Sequence, residues 1–554
     1  MTSTTSLRSR NDRHRGKRTI AVAIPLLAGV LAAMLVDPAG ASTASRVDAS
    51  SAATTGVVAP IPTLDWQPCL GGDLECTRAQ VPLDYDHPNG RTTTLFMSRR
   101  LADDQADRIG TLFINPGGPG GPAARLVPYF ADRLGDRVLR RFDIVGIDPR
   151  GIGRSTRVRC QPPGRIPPDP REFIPRTAEQ AAPVIDFYTF LAEGCAKDHN
   201  AILNHMSTAD VARDMDLIRQ ALGDTQLNYY GISYGSILGQ TYAALFPDKV
   251  GAMVLDGVAN PRAWTTGAEG DTRPVFARVG SGVGSWEALV SGFAECDRVG
   301  RHRCRLAGKV ADYWRDIVNR LKRGPVSVGG GKVYYSDLVD NTLGALYSPS
   351  SYRLLVHEIG VAHRVLAGLE PAGKRTIALF RRGPTVRMPY APAVLSSSAG
   401  PAMRAQQYSL PLEGVMCADT LNPHNPRAWI RAGALADRQG PWFSRDWVWL
   451  SNPCAHYPTS AHADAYEGPW HIATSSPVLL VANVHDPATP IGGARFVNTL
   501  LAGSRMLTLD QWGHVAMGRS HCVSTKTAAY LVTGALPRNG AVCRGNGQLF
   551  PQRD

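Results

Sequence analysis

The sequence predicts an α/β protein: a mostly parallel sheet with helices on both faces, interrupted by a largely helical insertion. Three observations predict it. Short β-branched and aromatic runs alternate with helical stretches from about Trp66 onwards. Several of those runs have apolar centres, as strands covered on both faces do. The alternation stops between about residues 260 and 470 and then resumes, so one sheet is expected to be built from two stretches of chain.

The elements follow in order. Arg8, Arg10, Arg13, Arg15, Lys17 and Arg18 face only Asp12, and the apolar run "TIAVAIPLLAGVLAAMLV" (19–36) comes next. With the small residues of Ala39-Gly40-Ala41 behind it, this reads as a signal peptide, residues 1–41, cleaved after Ala41. No arginine pair marks the twin-arginine route, so Sec-type export is expected. The rival reading, an uncleaved anchor, is opposed by Pro25 and by the cleavage site. No stable membrane association is expected after cleavage. Residues 42–60, rich in Ser, Ala and Thr, form a flexible linker or pro-segment. The first part of the core spans 61–259. Its strands are expected at 92–101, 110–115, 141–148, 225–231 and 251–258, with a helix over 207–223. In that helix Val211, Met215, Ile218 and Leu222 share one face, Ser207 or Thr208 caps the start, and Gly223 ends it. The insertion, 260–470, holds helical pieces at 309–324 and 350–368. The second part of the core, 471–554, supplies strands at 476–484 and 504–510.

Composition narrows the class. An apolar fraction of 44% and a charged fraction of 19% suit a globular protein with a sizeable core. The net charge of +13 is partly local: losing residues 1–41 removes six basic and two acidic residues and leaves +9. The remaining arginines are scattered, without interleaved aromatics, so no nucleic-acid partner is expected. Nothing in the sequence sets the oligomeric state; a monomer is the working expectation. Ten cysteines, an even number behind an export signal, imply disulfides, and none has the C-x-x-C spacing of a zinc site. Joining neighbours gives Cys69–Cys76, Cys160–Cys195, Cys296–Cys304, Cys417–Cys454 and Cys522–Cys543, one choice among many. In "HEIGVAH", His357 and His363 lie six apart and cannot share the helical face a metal pair needs, so no metal is expected.

The chemistry concentrates at "LNYYGISYGSILGQTYAALFP" (227–247). A strand runs into Gly231-Ile232-Ser233-Tyr234-Gly235, and a helix leaves it. That setting suits a nucleophile elbow, in which Ser233 takes strained dihedrals and the Tyr234 N–H points at a developing oxyanion. "FINPGGPGGPAARL" (113–126) follows an earlier strand, and Gly117 or Gly118 can offer a second N–H. The same loop matches the dinucleotide pattern G-x-G-x-x-A at Gly118 to Ala123. Two prolines remove donors from that cradle and no acidic residue follows at the required distance, so no cofactor is expected. A nucleophilic serine on such a sheet takes its partners in chain order, acid then histidine. Asp486 follows the strand in "VLLVANVHDPATP", and His514 follows the next strand in "LTLDQWGHVAMG". Asp510 is a competing acid but sits too close to His514 along the chain; His485 and His521 are expected as surface neighbours.

These stretches, with "VPLDYDHP" (81–88), "FDIVGIDPRGIGRS" (142–155), "VLDGVANP" (254–261) and "GHVAMGRSHCV" (513–523), resemble the secreted actinobacterial tripeptidyl aminopeptidases. These are α/β-hydrolases of the prolyl-aminopeptidase-like serine peptidase family, and the likeness runs from residue 66 to residue 543. The resemblance implies a triad of Ser233, Asp486 and His514, with Gly118 and Tyr234 as oxyanion donors. It also implies a substrate that is a peptide with a free N-terminus, whose ammonium needs carboxylates; Glu413 and Asp419, in "PLEGVMCADT", are the candidates. Asp148 and Arg150 are expected as a buried structural pair. Two departures stand out: Asn115-Pro116 opens the oxyanion loop where prolyl aminopeptidases have histidine, and Val515 stands where many relatives carry glycine, which would narrow the site. The same triad would equally serve a secreted esterase or amidase acting on a small natural product, and a catalytically silent binding protein on this scaffold is a third reading.

Overall fold

The computed structural model describes residues 59–552 apart from 70–72, 162, 166, 169, 171, 198–200, 329, 370, 372–409 and 458–461. The expected signal peptide and nearly all of the expected linker lie outside the described residues. Twelve strands are seen among those described: β1 (Gln67–Cys69), β2 (Leu74–Pro82), β3 (Thr92–Arg100), β4 (Gly110–Asn115), β5 (Phe142–Asp148), β6 (Leu227–Ile232), β7 (Val250–Asp256), β8 (Val326–Val328), β9 (Gly331–Val333), β10 (Leu479–His485), β11 (Arg505–Trp512) and β12 (Ala541–Arg544).

Ten of them form one sheet in the order β1-β2-β3-β5-β4-β6-β7-β10-β11-β12. The first three run antiparallel to their neighbours, and every pairing from β5–β4 to β11–β12 is parallel. Side chains alternate between two apolar layers, as the two-residue strand period requires. Leu112, Ile114, Ile144, Leu479 and Val481 face one layer, with Phe130 and Leu134 of the helix Val127–Leu134 and Leu531 of His521–Thr533. Phe113, Val145, Leu480 and Ala482 face the other, with Met215, Leu238 and Val497 of the helices Thr208–Ala221, Gly235–Leu245 and Ile491–Leu500.

Between β7 and β10 the chain leaves the sheet for nine α-helices among the described residues, together with the small β8–β9 hairpin, which the helical reading of this stretch did not foresee. Four of them, the helices Ser281–Val299, Val310–Lys322, Tyr335–Leu346 and Tyr352–Leu366, pack through Leu289, Trp314, Leu338 and Ile359, all at or near zero exposure. A helix from the earlier part of the chain, Ala178–Lys197, joins this body: its Ala181 and Val184 pack with Trp429 and Trp449.

All five neighbour-to-neighbour disulfides are present and no cysteine is free. One pairing expectation is corrected. Asp148 and Arg150 are both buried, but not on each other. Asp148 accepts the backbone N–H groups of Ala124 and Arg154, while Arg150 donates twice to Asp214 (2.6 and 2.9 Å) and to three carbonyls. A guanidinium has five donors in a fixed fork, and the Asp214 carboxylate matches that fork where Asp148 does not.

Candidate active site

The strand order reverses at β4: β5 lies on one side of it and β6 on the other. Crevices of open parallel sheets form where order reverses, beyond the carboxyl ends of the strands. The loop after β4 and the turn after β6 therefore open into the same space.

Ser233 follows β6 with φ +58°, a left-handed conformation rare for a side-chain-bearing residue. Its surroundings hold it there. The Ser233 N–H donates to Asp256 O (2.8 Å), and Ser236 N–H donates to Ser233 O (2.7 Å). A Cβ on Gly235 would lie 2.9 Å from Asn115 O, and one on Gly231 would collide with Gly235 O and the Tyr229 ring. Both glycines are thus demanded by contact. Half-buried Ser233 stands at the head of the helix Gly235–Leu245, whose N-terminal dipole favours negative charge.

The glycine loop presses against this turn. A Cβ on Gly117 would lie 3.0 Å from both Ser233 Cβ and Tyr234 N. The Gly117 N–H, however, donates to Asn115 Oδ1 at 2.8 Å. That corrects the choice between the two glycines: Gly117 spends its donor inside the loop. The N–H groups of Gly118 and Tyr234 make no hydrogen bond among the described residues.

His514 and Asp486, 28 residues apart, meet at the carboxyl ends of β11 and β10. His514 Nδ1 lies 2.9 and 3.0 Å from the two Asp486 oxygens. Asp486 also accepts N–H bonds from Ala488, Thr489 and Val515, and it is 2% exposed. Backbone donors converging on the carboxylate fix its orientation, and with it the imidazole that leans on it. His514 Nε2 makes no hydrogen bond among the described residues. A Cβ on Gly257, the residue after the carbonyl that holds Ser233, would lie 3.3 Å from His514 Cε1, so the serine turn and the imidazole share one wall.

The turn that carries His514 is itself tightly held. Val515 adopts φ +62°, which explains why glycine suits this position. Asn483 Nδ2 donates to the Gly513 and Val515 carbonyls (2.6 and 2.9 Å), and Ala516 and Met517 donate to Asp256. From the insertion, Tyr347 O accepts His514 N–H (3.1 Å) and Arg519 Nη2 (2.7 Å), while the Tyr347 ring meets the imidazole edge-on at 5.0 Å. Asp510 is exposed, and half-buried His485 stacks on Trp512 at 4.4 Å, where burial lowers its pKa; His521 is exposed. Sequence reasoning missed Asp256, Tyr347, Arg519 and Asn483. The first lay in a motif noted without a role, and Tyr347 lay in the insertion, where no periodic signal points at the site.

The two carboxylates singled out for an ammonium group have different fates. Asp419 is 2% exposed and fully engaged: it accepts Thr208 N–H (2.7 Å), Thr208 Oγ1 (2.5 Å) and Trp264 Nε1 (3.0 Å), and burial pushes it up to about 6. Thr208 in turn hydrogen-bonds the Tyr234 hydroxyl, so Asp419 braces the serine turn from behind. Glu413 sits in the first turn of the helix Pro411–Asp419, whose start touches the glycine loop: a Cβ on Gly120 would lie 2.9 Å from Leu412 N. Glu413 has no ion-pair partner among the described residues. It keeps part of its surface open, yet protein encloses the carboxyl closely enough that desolvation pushes it up to about 7.

One group has the composition of a metal site among the described residues: His205, Asp210 and Asp464. The Arg150 guanidinium lies 3.9 Å from Asp210 and already supplies positive charge, so the group reads as an ion-pair network.

A serine held at strained dihedrals, an imidazole oriented by a buried carboxylate, and two free backbone donors are the parts acyl transfer requires. Residues 110–279 match the family model for the alpha/beta hydrolase fold, and residues 440–543 match that for TAP-like protein. A tripeptidyl aminopeptidase of Streptomyces lividans is 29% identical over 520 residues, covering 90% of this chain and 89% of its own. Serine protease Hip1 of Mycobacterium tuberculosis is 29% identical over 521 residues, covering 87% and 91%. A protein named carboxylesterase B, also of Mycobacterium tuberculosis, is 30% identical over 481 residues, covering 84% and 86%. The chain belongs to this α/β-hydrolase family of tripeptidyl-aminopeptidase-like proteins, and it is a serine hydrolase.

Proposed function

We propose that this protein is an exported serine aminopeptidase that releases short peptides, tripeptides foremost, from free N-termini. The observation that carries the catalytic part is the convergence of strained Ser233 with the Asp486–His514 pair on one crevice. Ser233 Oγ attacks the scissile carbonyl while His514 Nε2 takes its proton. Asp486 holds the Nδ1–H tautomer and stabilises the imidazolium. The oxyanion receives the Tyr234 and Gly118 N–H groups, each worth on the order of 10²–10³ in turnover for a donor of this kind. His514 then returns the proton to the leaving amine, and water releases the acyl group by the reverse steps. Glu413, beside the glycine loop and without an ion-pair partner among the described residues, is the carboxylate we assign to the substrate ammonium; Asp419, saturated by Thr208 and Trp264, supports the turn instead. Export is supported by the five disulfides, which persist in oxidising compartments, and no helix among the described residues is long and apolar enough to cross a membrane.

The second reading, an esterase or amidase acting on a small natural product, is favoured by the likeness to the protein named carboxylesterase B. A panel of tripeptidyl, aminoacyl-prolyl and acyl-ester chromogenic substrates, each with its N-blocked counterpart, decides between them. Free-amine tripeptides should turn over fastest; equal turnover of blocked peptides or simple esters would overturn the aminopeptidase reading. Ser233→Ala should abolish turnover and leave the thermal transition in place, and retained turnover would remove the catalytic assignment.

A further inference from the structure

Asp256 is the last residue of β7 and has no exposed surface. Its main chain and side chain face different parts of the site. The carbonyl accepts the Ser233 N–H at 2.8 Å, the bond that pins the left-handed turn. The carboxylate reaches the other way: Oδ1 accepts Ala516 N–H (2.8 Å), and Oδ2 accepts Met517 N–H (2.8 Å) and the Tyr230 hydroxyl (3.2 Å). Ala516 and Met517 close the turn whose preceding residues are His514 and strained Val515. Gly257 follows at φ +71°, where a Cβ would sit in tight contact, 3.0 Å from Val515 Cγ1 and 3.2 Å from Thr489 Oγ1.

We infer that Asp256 is a positioning residue that sets the histidine turn against the serine turn, so that one side chain and its own carbonyl hold both halves of the catalytic pair in register. The two turns come from strands far apart in sequence, with the insertion between them, and need a common reference. Asp486 cannot be that reference. It orients the imidazole through Nδ1 and the Val515 N–H, but its own bonds run to Ala488 and Thr489 and none reaches the serine turn. Asp256 bonds to both. A carboxylate is also the group that suits the place. Two N–H donors and one hydroxyl converge on it, and it can accept all three, whereas an amide offers one acceptor and turns an N–H against an N–H. Asp256 makes no ion pair among the described residues, and the three converging donors are what retain a buried carboxylate there.

The inference rests on the catalytic reading of Ser233 and His514 given above, and the experiment separates the two. Asp256→Asn, close to isosteric, is compared with Tyr230→Phe, which removes one donor and leaves both bonds to the histidine turn. Each is assayed in the full chain on a free-amine tripeptidyl substrate, with a thermal melt to verify folding. Asp256→Asn should lower kcat about 10- to 100-fold, the cost of misplacing a catalytic group by a fraction of an ångström to an ångström, with KM within about threefold of wild type. The rate at which a fluorophosphonate modifies Ser233 should fall by a similar factor, because that reaction also needs the imidazole in place. Tyr230→Phe should stay within about twofold of wild type on both measures. If Asp256→Asn does not fold, Asp256→Ser, which keeps one hydroxyl acceptor for the turn, is read by the same criteria. A kcat within twofold of wild type, a loss confined to KM, or an equal loss in Tyr230→Phe would each overturn the positioning role. Turnover surviving in Ser233→Ala would instead bring down the catalytic reading itself.

Discussion

Glu413 shows what a single side chain's surroundings add to its identity. In the sequence it and Asp419 are two acids on one short segment, with equal claims on an ammonium group. The structure separates them through residues more than 150 positions away: Thr208 and Trp264 saturate Asp419, and nothing described pairs with Glu413. No local pattern encodes that difference. Desolvation raises the Glu413 carboxyl to about 7, so in the free enzyme it is ionised above that pH and neutral below it. If it receives the substrate ammonium, KM for a free-amine tripeptide should climb as pH falls through 7, while N-blocked substrates show no such limb. Glu413→Gln should raise KM about tenfold at pH 8 and flatten that limb, a charge-assisted hydrogen bond being worth roughly 1.5–3 kcal/mol. An unchanged KM profile in Glu413→Gln would withdraw the assignment. Gly117 and Gly118 make the same point about legibility. Which one offers its N–H depends on where the Asn115 side chain turns, and that is invisible in "NPGGPGG". Asp486 and His514, by contrast, each follow an apolar run and its turn residues, and chain order alone paired them for inspection.

At the scale of elements, the strands read most faithfully were those buried on both faces. β4 and β5 are buried along their whole length, and their apolar runs stand out against any background. β2 and β12 were not foreseen. Both mix exposed polar with buried residues near a sheet edge, and β12 has only four residues. The insertion was legible as helical where faces were periodic, at Val310–Lys322 and Tyr352–Leu366, and illegible where short helices rely on distant partners. The helix Pro411–Asp419 is such a case: nine residues, opened by a proline and tied at Cys417 to Cys454 in the short 3-10 helix Asn452–Ala455. Isolated helices of that length are marginal, so its position owes much to the crosslink. The bond closes a separation of 37 residues, and replacing both cysteines by serine should cost about 2–4 kcal/mol of stability, read from denaturant midpoints. Because that helix carries both Glu413 and Asp419, which braces the serine turn, the same variant should raise KM and lower kcat together. A loss of kcat at constant KM would show that the helix serves the reaction in some other way.

Across the whole molecule, the insertion has to stay seated over the carboxyl edge of the sheet, and its contacts with the core include groups that titrate near neutrality. His205, in the turn before the helix Thr208–Ala221, meets Asp464, in the stretch that returns from the insertion to β10, at 3.0 Å. Each side chain is about one-fifth exposed. The Asp464 hydrogen bond is the largest cause of a raised His205 pKa; Asp210 and Asp84 also favour the charged ring, and partial burial opposes them. The sign follows from linkage. The folded-state pKa exceeds that of the unfolded chain, near 6.5 for histidine, so folding takes up protons on this group. Its stabilising contribution is fully present below about pH 6.5 and is lost as pH rises through the higher folded value. Wild type should therefore exceed His205→Gln in melting temperature by most below about pH 6.5, and the gap should close as pH rises above that value. Solvent and salt reach this pair, so added sodium chloride should shrink the gap at pH 6 and leave pH 9 unchanged. A gap independent of pH would mean that His205 acts through packing alone, and that the contact between the insertion and the core carries no charge-dependent part at this point.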